Sequence, residues 1–575
     1  MLDIIDRSGP ARSGRWSFGQ TKVDLPNILF VDTPVHRPPS YADLTITSGE
    51  RISIQGSGEE EYGGFEQRII KPNDSFREVA SLEEGDKVVI VRGRNCEGLW
   101  EREEEVFVLG NAFELRRDAR TFVENLVALR KAVGPSKLIY APGLMEPSNL
   151  ALLAYMGVDL FDSSLPLYQA ARGRVLLTEG AVKADDAMWL MESSGTVEAQ
   201  NLQAAWSELL LVRHMLRVGR LRELVETRVT ASPWMVAALR IFDLEHYAHQ
   251  ERLTSVLGPR FYCNSKASLF RPDVWRFRRR MMERWEPAPH KKVLLLIPCS
   301  AKKPYYTSKS HRLFEEVLLS IPNSCAVQEM ILTSPLGAVP RELELFYPAS
   351  QYDIPVTGNW DREEVSMIQE LVGKAASYGF QATISHLGSE SGFVGEVLDC
   401  VDTTQGQGTT APESLERLRK VLMEACGNAD KAPRAQDRVE FLRSQARFQF
   451  GKEGGVLLDG CTVVGKYPYL KFLREGVQLG MLTPERGMLS LTMEGGEVLR
   501  GQNINVVRMG DFDLGGNLFA VGINDADEGI RAGDEVVILR GEEVEGVGVA
   551  AMSGEEMVRL KRGEAVRVRH KRKRK

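Results

Sequence analysis

Apolar residues follow two spacings in the first 245 residues. Short apolar runs at 26–31, 86–91 and 138–141 are typical of strands. Apolar residues three and four apart predict helices over 122–133 and 202–218. Strands that alternate with helices indicate an α/β layer or barrel domain, and we assign it to residues 1–245.

A second alternation begins after a basic, proline-punctuated stretch at 271–289 that we interpret as a join between domains. Its expected strands lie at 293–297, 330–333 and 382–386, and helical stretches at 313–320 and 363–376 lie between them. Strands separated by helices are typical of a parallel sheet. We therefore expect a central parallel-sheet α/β domain over 246–435.

After residue 435 the pattern changes to short strands rich in glycine and valine. It divides near residue 500 into a small α+β module, 436–503, and a β-barrel-like module, 504–575. The predicted fold class is therefore multidomain α/β. Four domains also agree with a length of 575 residues at about 150 residues per domain.

Composition places the chain among globular proteins. With 43% hydrophobic and 26% charged residues it resembles neither a fibrous nor a disordered protein. The longest purely aliphatic run, 293–297, is far shorter than the roughly 18 apolar residues of a membrane span. The first residues lack the apolar segment of a secretory signal. We expect a cytoplasmic protein with no membrane partner.

The seven cysteines are scattered and never spaced as C-x-x-C. This pattern disfavours a disulfide framework and a structural zinc site, and by default each cysteine is a small buried hydrophobic residue. No glycine-rich nucleotide loop or metal cluster stands out. We therefore expect no metal and no cofactor.

Charge is distributed unevenly. The net charge is −6, but residues 559–575 hold ten Lys or Arg against one acid and carry +9, which leaves −15 for the rest. A basic end on an acidic body suggests local contact with an anionic partner. The tail alone is equally compatible with a solvated, disordered end.

The densest group of reactive side chains lies at 297–311, where a buried strand is expected to stop. Ligands of open parallel sheets bind outside the carboxyl ends of strands, and Cys299 lies two residues past the apolar run. Nearby lysines and the positive end of a following helix should lower the pKa of the thiol. Cys299 is therefore the candidate nucleophile, and the alternative is a basic loop that holds a phosphate above a structural cysteine.

Neighbouring side chains could support a reaction at Cys299. His311 or Lys303 could supply a proton, while Tyr305, Ser308 and Arg341 could orient a substrate. The aromatic stretch 347–360 suits a wall against a planar ring, or else packs a rigid loop of its own. Residues 386–392 follow the third strand and could close the pocket.

The spacing PC-x3-KPY-x2-S-x2-H, from Pro298 to His311, resembles the signature of the archaeosine synthases, which are archaeal paralogues of tRNA-guanine transglycosylase. The stretches SPLGAVPRELE and YDIPVTGNW are also similar to that family's central domain. The resemblance implies an enzyme that acts on 7-cyano-7-deazaguanine in the D-arm of tRNA, at position 15. The nitrile would become an amidine with nitrogen from an amino acid, and we expect a covalent thioimide on Cys299.

The same resemblance covers nearly the whole chain. Residues 1–245 resemble a transglycosylase barrel of the TIM type, and MGVDLFDSSLP at 156–166 would place its nucleophilic aspartate at Asp162. No counterpart of the DSGGFQ motif is found, residues 187–194 lack the zinc cysteines, and Gln200 stands where a zinc histidine is expected. These differences favour a barrel kept as an RNA-docking scaffold. An active transglycosylase and a non-catalytic RNA-binding protein remain the alternatives.

The segment from about residue 506 to 570 resembles a PUA domain, a fold that binds structured RNA. The implied RNA contacts are Arg567, Arg569, Lys571 and Arg572, and the implied partner is tRNA. The sequence leaves open whether the nitrogen donor is glutamine, lysine or ammonia. It also leaves open whether a second enzyme completes the reaction and whether the chain forms a homodimer, as transglycosylase relatives commonly do.

Overall fold

A computed structural model of the chain describes residues 2–18, 20–47, 51–54, 61–64, 81–94, 96–190, 195–356 and 358–573. The chain forms two compact units. The first contains Met1–Thr254 with the segments Phe519–Val521 and Glu556–Gly563. The second contains Ser255–Leu518, Gly522–Glu555 and Glu564–Lys575.

The first unit is built on sheets. The strands are β1 (Leu2–Ser8), β2 (Ala11–Phe18), β3 (Thr21–Leu25), β4 (Asn27–Asp32), β5 (Leu44–Thr47), β6 (Arg51–Ile54), β7 (Glu61–Gly64), β8 (Ser81–Glu84), β9 (Val88–Arg92), β10 (Val106–Leu109), β11 (Leu138–Tyr140), β12 (Leu160–Asp162), β13 (Arg174–Leu177) and β14 (Gly180–Lys183). Strands β1 to β3 form an antiparallel meander, and β13 pairs with β14. The remaining nine form one sheet in the order β7-β6-β5-β4-β12-β11-β10-β9-β8.

Six inner strands of this sheet, from β5 to β9 in that order, run parallel, and the outer ones run antiparallel. The helices of the unit are α1 (Ala112–Leu115), α2 (Ala119–Val133), α3 (Pro147–Tyr155), α4 (Ser164–Ala171), α5 (Val197–Arg217), α6 (Leu221–Arg228), α7 (Pro233–Glu245) and α8 (Tyr247–Leu253). The helices expected at 122–133 and 202–218 are thus confirmed, as are the strands expected near residues 26, 86 and 138.

The central part of the second unit is a mixed sheet with helices. Its strands are β15 (Phe261–Tyr262), β16 (Val293–Pro298), β17 (Val327–Thr333), β18 (Gly337–Pro340), β19 (Tyr352–Asp353), β20 (Ala382–Ser385) and β21 (Val401–Asp402). Its helices are α9 (Pro272–Arg284), α10 (Lys309–Leu319), α11 (Arg362–Ala376), α12 (Ser391–Gly395) and α13 (Pro412–Gly427). Every predicted strand and helix of this region is confirmed, with small shifts at the ends.

The main central sheet has the order β18-β17-β16-β20-β21. Strands β17, β16, β20 and β21 are parallel, and only β18 is antiparallel. The five residues Val293–Ile297 of β16 are fully buried. A strand in the middle of a parallel sheet is covered on both faces, which explains why this sequence is continuously apolar and does not alternate.

The last part of the second unit holds two smaller sheets. The first combines α14 (Arg434–Phe450) and α15 (Met493–Gly501) with the antiparallel strands β22 (Cys461–Lys466), β23 (Tyr469–Arg474), β24 (Val477–Leu482) and β25 (Leu489–Leu491). The second is a six-stranded sheet in the order β27-β31-β30-β29-β26-β28. Its strands are β26 (Val506–Met509), β27 (Leu518–Phe519), β28 (Ile523–Ala526), β29 (Glu535–Arg540), β30 (Glu543–Ala550) and β31 (Glu564–Lys571). Helix α16 (Gly554–Arg559) lies between β30 and β31 along the chain, and its residues from Glu556 onward, like Phe519 of β27, are counted in the first unit.

Strand β31 changes the interpretation of the basic end. Residues 564–571 pair with β30, and the side chains of Ala565 and Val566 are buried. The middle of the basic segment, residues 564–571, is therefore a strand of the last sheet. Only Arg574 and Lys575 at its end lie outside the described residues.

Candidate functional site

The order of the central strands reverses at β16. The chain passes from β16 to β17 on one side and later returns to β20 on the other side. Ligands of open α/β sheets bind in the crevice outside the carboxyl ends of the strands at such a reversal. Cys299 directly follows β16, Thr333 ends β17, and Glu390 follows β20 by five residues.

Cys299, Lys303, Thr333, Tyr352 and Glu390 form a group at this edge that we term the Cys299 cluster. Burial raises the pKa of the Cys299 thiol, a hydrogen bond with Thr333 and the charge of Lys303 lower it, and the charge of Glu390 raises it. The expectation of a lowered thiol pKa is therefore wrong, because burial outweighs the positive surroundings. The thiol needs a base before it can attack as a thiolate.

Lys303 lies over aromatic rings beside Cys299. Its ammonium nitrogen is 4.0 Å from the centre of the Tyr352 ring and 5.8 Å from that of Tyr305. The same nitrogen donates to the backbone oxygen of Ser300 at 3.4 Å. Burial lowers the pKa of Lys303, while the neighbouring Cys299 thiol raises it. Lys303 and Cys299 are both residues of intermediate burial.

His311 is held in place by both ring nitrogens. Nδ1 accepts a hydrogen bond of 2.9 Å from Arg341, so Nε2 carries the proton and donates to the Pro298 carbonyl at 3.1 Å. The ring is buried and stacks on Tyr305. Burial and the charge of Arg341 lower the pKa of His311 to about 3. The structure therefore gives His311 a part in fixing the end of β16 directly before Cys299, with both ring nitrogens engaged by internal partners.

The three predicted substrate-binding residues of this region have internal partners. Arg341 pairs with Glu329 and Glu344 as well as with His311. Tyr305 is completely buried, and its hydroxyl lies 2.5 Å from that of Tyr352. Ser308 caps α10 and accepts the backbone N–H of His311 at 3.3 Å. These residues build the loop and helix that present Cys299 and Lys303.

Glu390 was not singled out by sequence reasoning. It ends a single helical turn after β20, and the Trp360 indole forms a hydrogen bond with its carboxyl. Burial raises the pKa of Glu390 to about 7, and the Trp360 bond opposes the rise. Its Oε2 is buried and has no hydrogen-bond partner among the residues that the structure describes. Its signal was its position inside the stretch 386–392, which was expected to close the pocket.

The aromatic stretch 347–360 divides between two roles. Tyr347 is bonded to Asp273 at 2.6 Å, away from the cluster, whereas Tyr352 and Trp360 contact cluster residues. His386 uses both ring nitrogens on Thr403 and on the Thr409 carbonyl. Thr357 lies outside the described residues.

Asp162 ends β12 in the first unit, and its carboxylate is fully used. The side chain is 1% exposed. It accepts hydrogen bonds from the Tyr140 hydroxyl at 2.9 Å, from the Gly143 N–H at 2.6 Å and from the Ser164 N–H at 2.8 Å. The geometry fits a group that holds the end of β12 and the start of α4.

The stretch where a transglycosylase would hold zinc is only partly described. Residues 191–194 of the stretch 187–194 lie outside the described residues. Asn201, beside Gln200, is buried and bonds to the backbone of Leu176, Pro166 and Arg174. Among the described residues no group of three or more His, Cys, Asp or Glu is arranged to hold a metal ion.

The four residues expected to contact RNA differ in their surroundings. Arg567 is 72% exposed and pairs with Glu564. The Arg569 side chain is 29% exposed and is bonded to Glu535 and to the Leu491 carbonyl. The remaining two also have partners, Lys571 at the carbonyls of Leu514 and Gly515 and Arg572 at Glu543. Arg567, Arg569 and Lys571 are exposed residues, and Arg572 is of intermediate burial.

No helix in the described ranges is both long and apolar enough to cross a membrane. Three protein families match parts of the chain. Residues 274–422 match a domain of unknown function, DUF5591, residues 512–572 match the PUA domain, and residues 89–230 match the queuine tRNA-ribosyltransferase family. The first of these ranges contains the whole Cys299 cluster.

Curated relatives match almost the full length. The archaeosine synthase subunit alpha of Thermococcus kodakarensis is 36% identical over 99% of this chain and 100% of its own. The protein of the same name from Methanosarcina acetivorans is 34% identical over 82% of this chain and 80% of its own. A tRNA-guanine(15) transglycosylase of Methanobrevibacter smithii is 24% identical over 96% of this chain and 82% of its own. Full-length identity above 30% to a named member, together with the PUA and transglycosylase-type matches, shows that the chain belongs to the archaeosine synthase family.

Proposed function

We propose that this protein converts the nitrile of 7-cyano-7-deazaguanine, already present at position 15 of tRNA, into an amidine. The observation that carries the proposal is the Cys299 cluster, which places a partly buried cysteine at the reversal point of a parallel sheet. A thiolate is a good nucleophile towards a nitrile carbon and a good leaving group, which suits a covalent thioimide. The relatives named archaeosine synthase support the substrate.

Nitrogen would come from an amino acid, with glutamine and lysine as the candidates. If the whole amino acid is added, a second enzyme must then cleave it. Two relatives are named as the alpha subunit of an archaeosine synthase, which supports a second subunit, whereas the Haloferax volcanii relative is named archaeosine synthase alone. The second enzyme therefore remains part of the proposal.

The first unit would dock the tRNA and would not exchange bases. We propose that residues 1–245 are a transglycosylase barrel of the TIM type that has lost its activity, followed by domains at 246–435, 436–503 and 504–575. Strand β12 pairs with β4, and these are the last and the first parallel strands of this sheet along the chain. A barrel joins its last strand to its first in this way, so the pairing supports the barrel. The three hydrogen bonds on Asp162 speak against base exchange, because they leave little acceptor capacity for a nucleophile.

The test uses tRNA that carries the nitrile base, incubated with the protein and with glutamine, lysine or ammonium in separate reactions. Mass spectrometry of the digested nucleosides should show loss of the nitrile nucleoside and a product whose added mass identifies the donor. A parallel reaction with guanine-containing tRNA and labelled free base should show no incorporation. An unchanged nitrile nucleoside with all three donors would overturn the proposal.

A further inference from the structure

The Cys299 cluster contains one group that neither the fold nor the family signature uses. Other buried polar side chains at this edge have internal partners: His311 lies between Arg341 and Pro298, and Thr333 bonds to Tyr352 and to the Ser334 carbonyl. Glu390 alone presents a buried carboxylate oxygen that no described residue contacts. A buried acceptor without a partner is costly, and a catalytic role is one of the reasons for which a native structure keeps one.

The position of Glu390 relates it directly to the reacting atom. Its charge acts on the Cys299 thiol, and the two residues follow neighbouring parallel strands, β16 and β20. The Trp360 indole binds the carboxyl and fixes its orientation, while Oε2 stays available. A general acid or base needs a fixed orientation, an available oxygen and reach. The first two are seen at Glu390, and the neighbouring strands and the effect of its charge on Cys299 support the third.

We propose that Glu390 is the catalytic proton shuttle of the Cys299 site and that its carboxylate also receives the primary ammonium of the nitrogen donor. The inference rests on the proposed function and assigns to Glu390 the proton transfers that His311 is too occupied to make. The ligand class is an amine that enters as its cation, because a partly buried carboxylate with a free oxygen binds an ammonium by a charge-assisted hydrogen bond.

The proton transfers balance over the whole reaction. In the first half, the Glu390 carboxylate takes the proton of the Cys299 thiol while sulfur bonds to the nitrile carbon, and it passes that proton to the nitrile nitrogen. The product is a neutral thioimide and a restored carboxylate. Burial keeps the thiol protonated at neutral pH, so a base at this position accelerates the step.

In the second half, Glu390 moves two protons from the donor ammonium. The carboxylate takes the first proton from the ammonium and passes it to the imide nitrogen. It takes the second proton as the donor nitrogen bonds to the imide carbon. When the carbon–sulfur bond breaks, the carboxylic acid returns its proton to the Cys299 thiolate. The product leaves as an amidinium cation, and the enzyme regains its starting protonation.

The substitution Glu390→Gln distinguishes a proton shuttle from a residue that acts on Cys299 only through its charge, because the two roles predict opposite effects on the rate of amidine formation. The Glu390 charge raises the pKa of Cys299, so its removal should make the thiol more acidic and speed alkylation by iodoacetamide at pH 7. A purely electrostatic neighbour would therefore make the variant as fast as the wild type or faster. A proton shuttle predicts slower amidine formation, by about 10²- to 10⁴-fold, despite a more reactive thiol.

The experiment measures single-turnover amidine formation on nitrile-bearing tRNA, together with Cys299 alkylation followed by peptide mass spectrometry. Glu396→Gln is the matched control, since Glu396 is exposed and lies on the same segment, and it should behave like the wild type. Glu390→Asp, which keeps a carboxylate, should recover part of the lost rate. A Glu390→Gln rate within threefold of the wild type would overturn the shuttle.

Failure of the shuttle and failure of the proposed function give different results. If wild-type protein produces no amidine with any donor, the proposed function fails and the Glu390 comparison is not reached. If wild-type protein is active and Glu390→Gln is equally active, only the shuttle fails. If Glu390→Gln loses both amidine formation and Cys299 alkylation, the variant has damaged the site, and the Glu390→Asp variant decides. Full alkylation with a partial rate of amidine formation in Glu390→Asp supports the shuttle. Full alkylation with no recovery of that rate contradicts it.

Discussion

The first unit and the central sheet of the second unit each place a carboxylate after a buried parallel strand. Asp162 ends β12, and both of its oxygens accept hydrogen bonds from its own unit, three in total. Glu390 follows β20, its Oε2 has no hydrogen-bond partner among the described residues, and its charge acts on the Cys299 thiol. Both carboxylates therefore lie at the end of a strand. They differ in the number of hydrogen bonds that they accept from the protein. The comparison supports our proposal that the chemistry takes place at the central sheet and that Asp162 has a structural role.

The strongest test of this assignment removes the thiol. Cys299→Ala should lower amidine formation by about 10⁴-fold or more, the order of loss when a covalent nucleophile is removed. Cys400→Ala is the matched control, because Cys400 is also a partly buried free thiol of the second unit. Single-turnover nucleoside analysis gives both rates. A Cys299→Ala protein with wild-type turnover would contradict the claim that the chemistry takes place at the end of β16 and not at Asp162.

The second test removes the charge of Asp162. In Asp162→Asn an amide N–H₂ replaces an oxygen that accepts bonds from Tyr140 and Gly143, so a donor faces a donor inside the core. We expect a loss of about 1–3 kcal/mol in the free energy of unfolding of the first unit, with amidine formation on saturating tRNA within about twofold of the wild type.

Urea unfolding monitored by hydrogen exchange at β11 and β12 reports the stability of the first unit. Asp32→Asn is the control, since Asp32 ends the neighbouring strand β4 and pairs at the surface with Arg37. It should change stability by less than about 0.5 kcal/mol. A large loss of turnover in Asp162→Asn with unchanged stability would instead make Asp162 a working catalytic group.

The third test uses the pH dependence of thiol alkylation. The Lys303 charge lowers the pKa of Cys299 and the Glu390 charge raises it. Because only the thiolate reacts, Lys303→Met should move the alkylation midpoint to higher pH, and Glu390→Gln should move it to lower pH. The exposed Lys302, which no described contact ties to the thiol, supplies the control Lys302→Met. Shifts of the same sign in both variants would contradict the arrangement of charges at the site.

The smallest expected effect concerns tRNA binding. Deletion of residues 559–575 would remove β31, so it cannot test the basic segment alone. Lys561→Gln with Arg562→Gln changes two exposed cations in the turn before that strand. Each lost phosphate contact should reduce the slope of log binding constant against log salt by about 0.9. Lys420→Gln on α13 is the control and should leave the slope unchanged.

Local patterns predicted the elements of the central domain well. The apolar run at β16 and the helical spacing of α10 and α11 gave their positions within a few residues, because buried parallel strands and amphipathic helices have distinct periods. The same approach placed Cys299 at a strand end. What it could not supply was the pairing of strands distant in the sequence, such as β12 with β4 and β15 with β19.

The chemistry of the site was predictable only in part. We expected His311 to supply a proton and Tyr305, Ser308 and Arg341 to orient a substrate, yet each of these side chains has a hydrogen-bond partner within the protein. A sequence motif indicates which residues lie in the same region of the fold. It does not indicate which of them has a polar atom left without an internal hydrogen-bond partner. Burial also reversed the expected direction of the Cys299 pKa, since desolvation depends on the packing of the whole domain.

The most direct test of the central claim is to capture the covalent intermediate on Cys299. Nitrile-bearing tRNA is incubated with the protein without a nitrogen donor. The reaction is quenched in acid and digested, and the mass of the peptide that contains Cys299 is measured by mass spectrometry. We predict a nucleobase adduct on this peptide in the wild type and in Asp162→Asn, and none in Cys299→Ala. Amidine formation by Cys299→Ala at the wild-type rate, with no adduct on the wild-type peptide, would contradict the account.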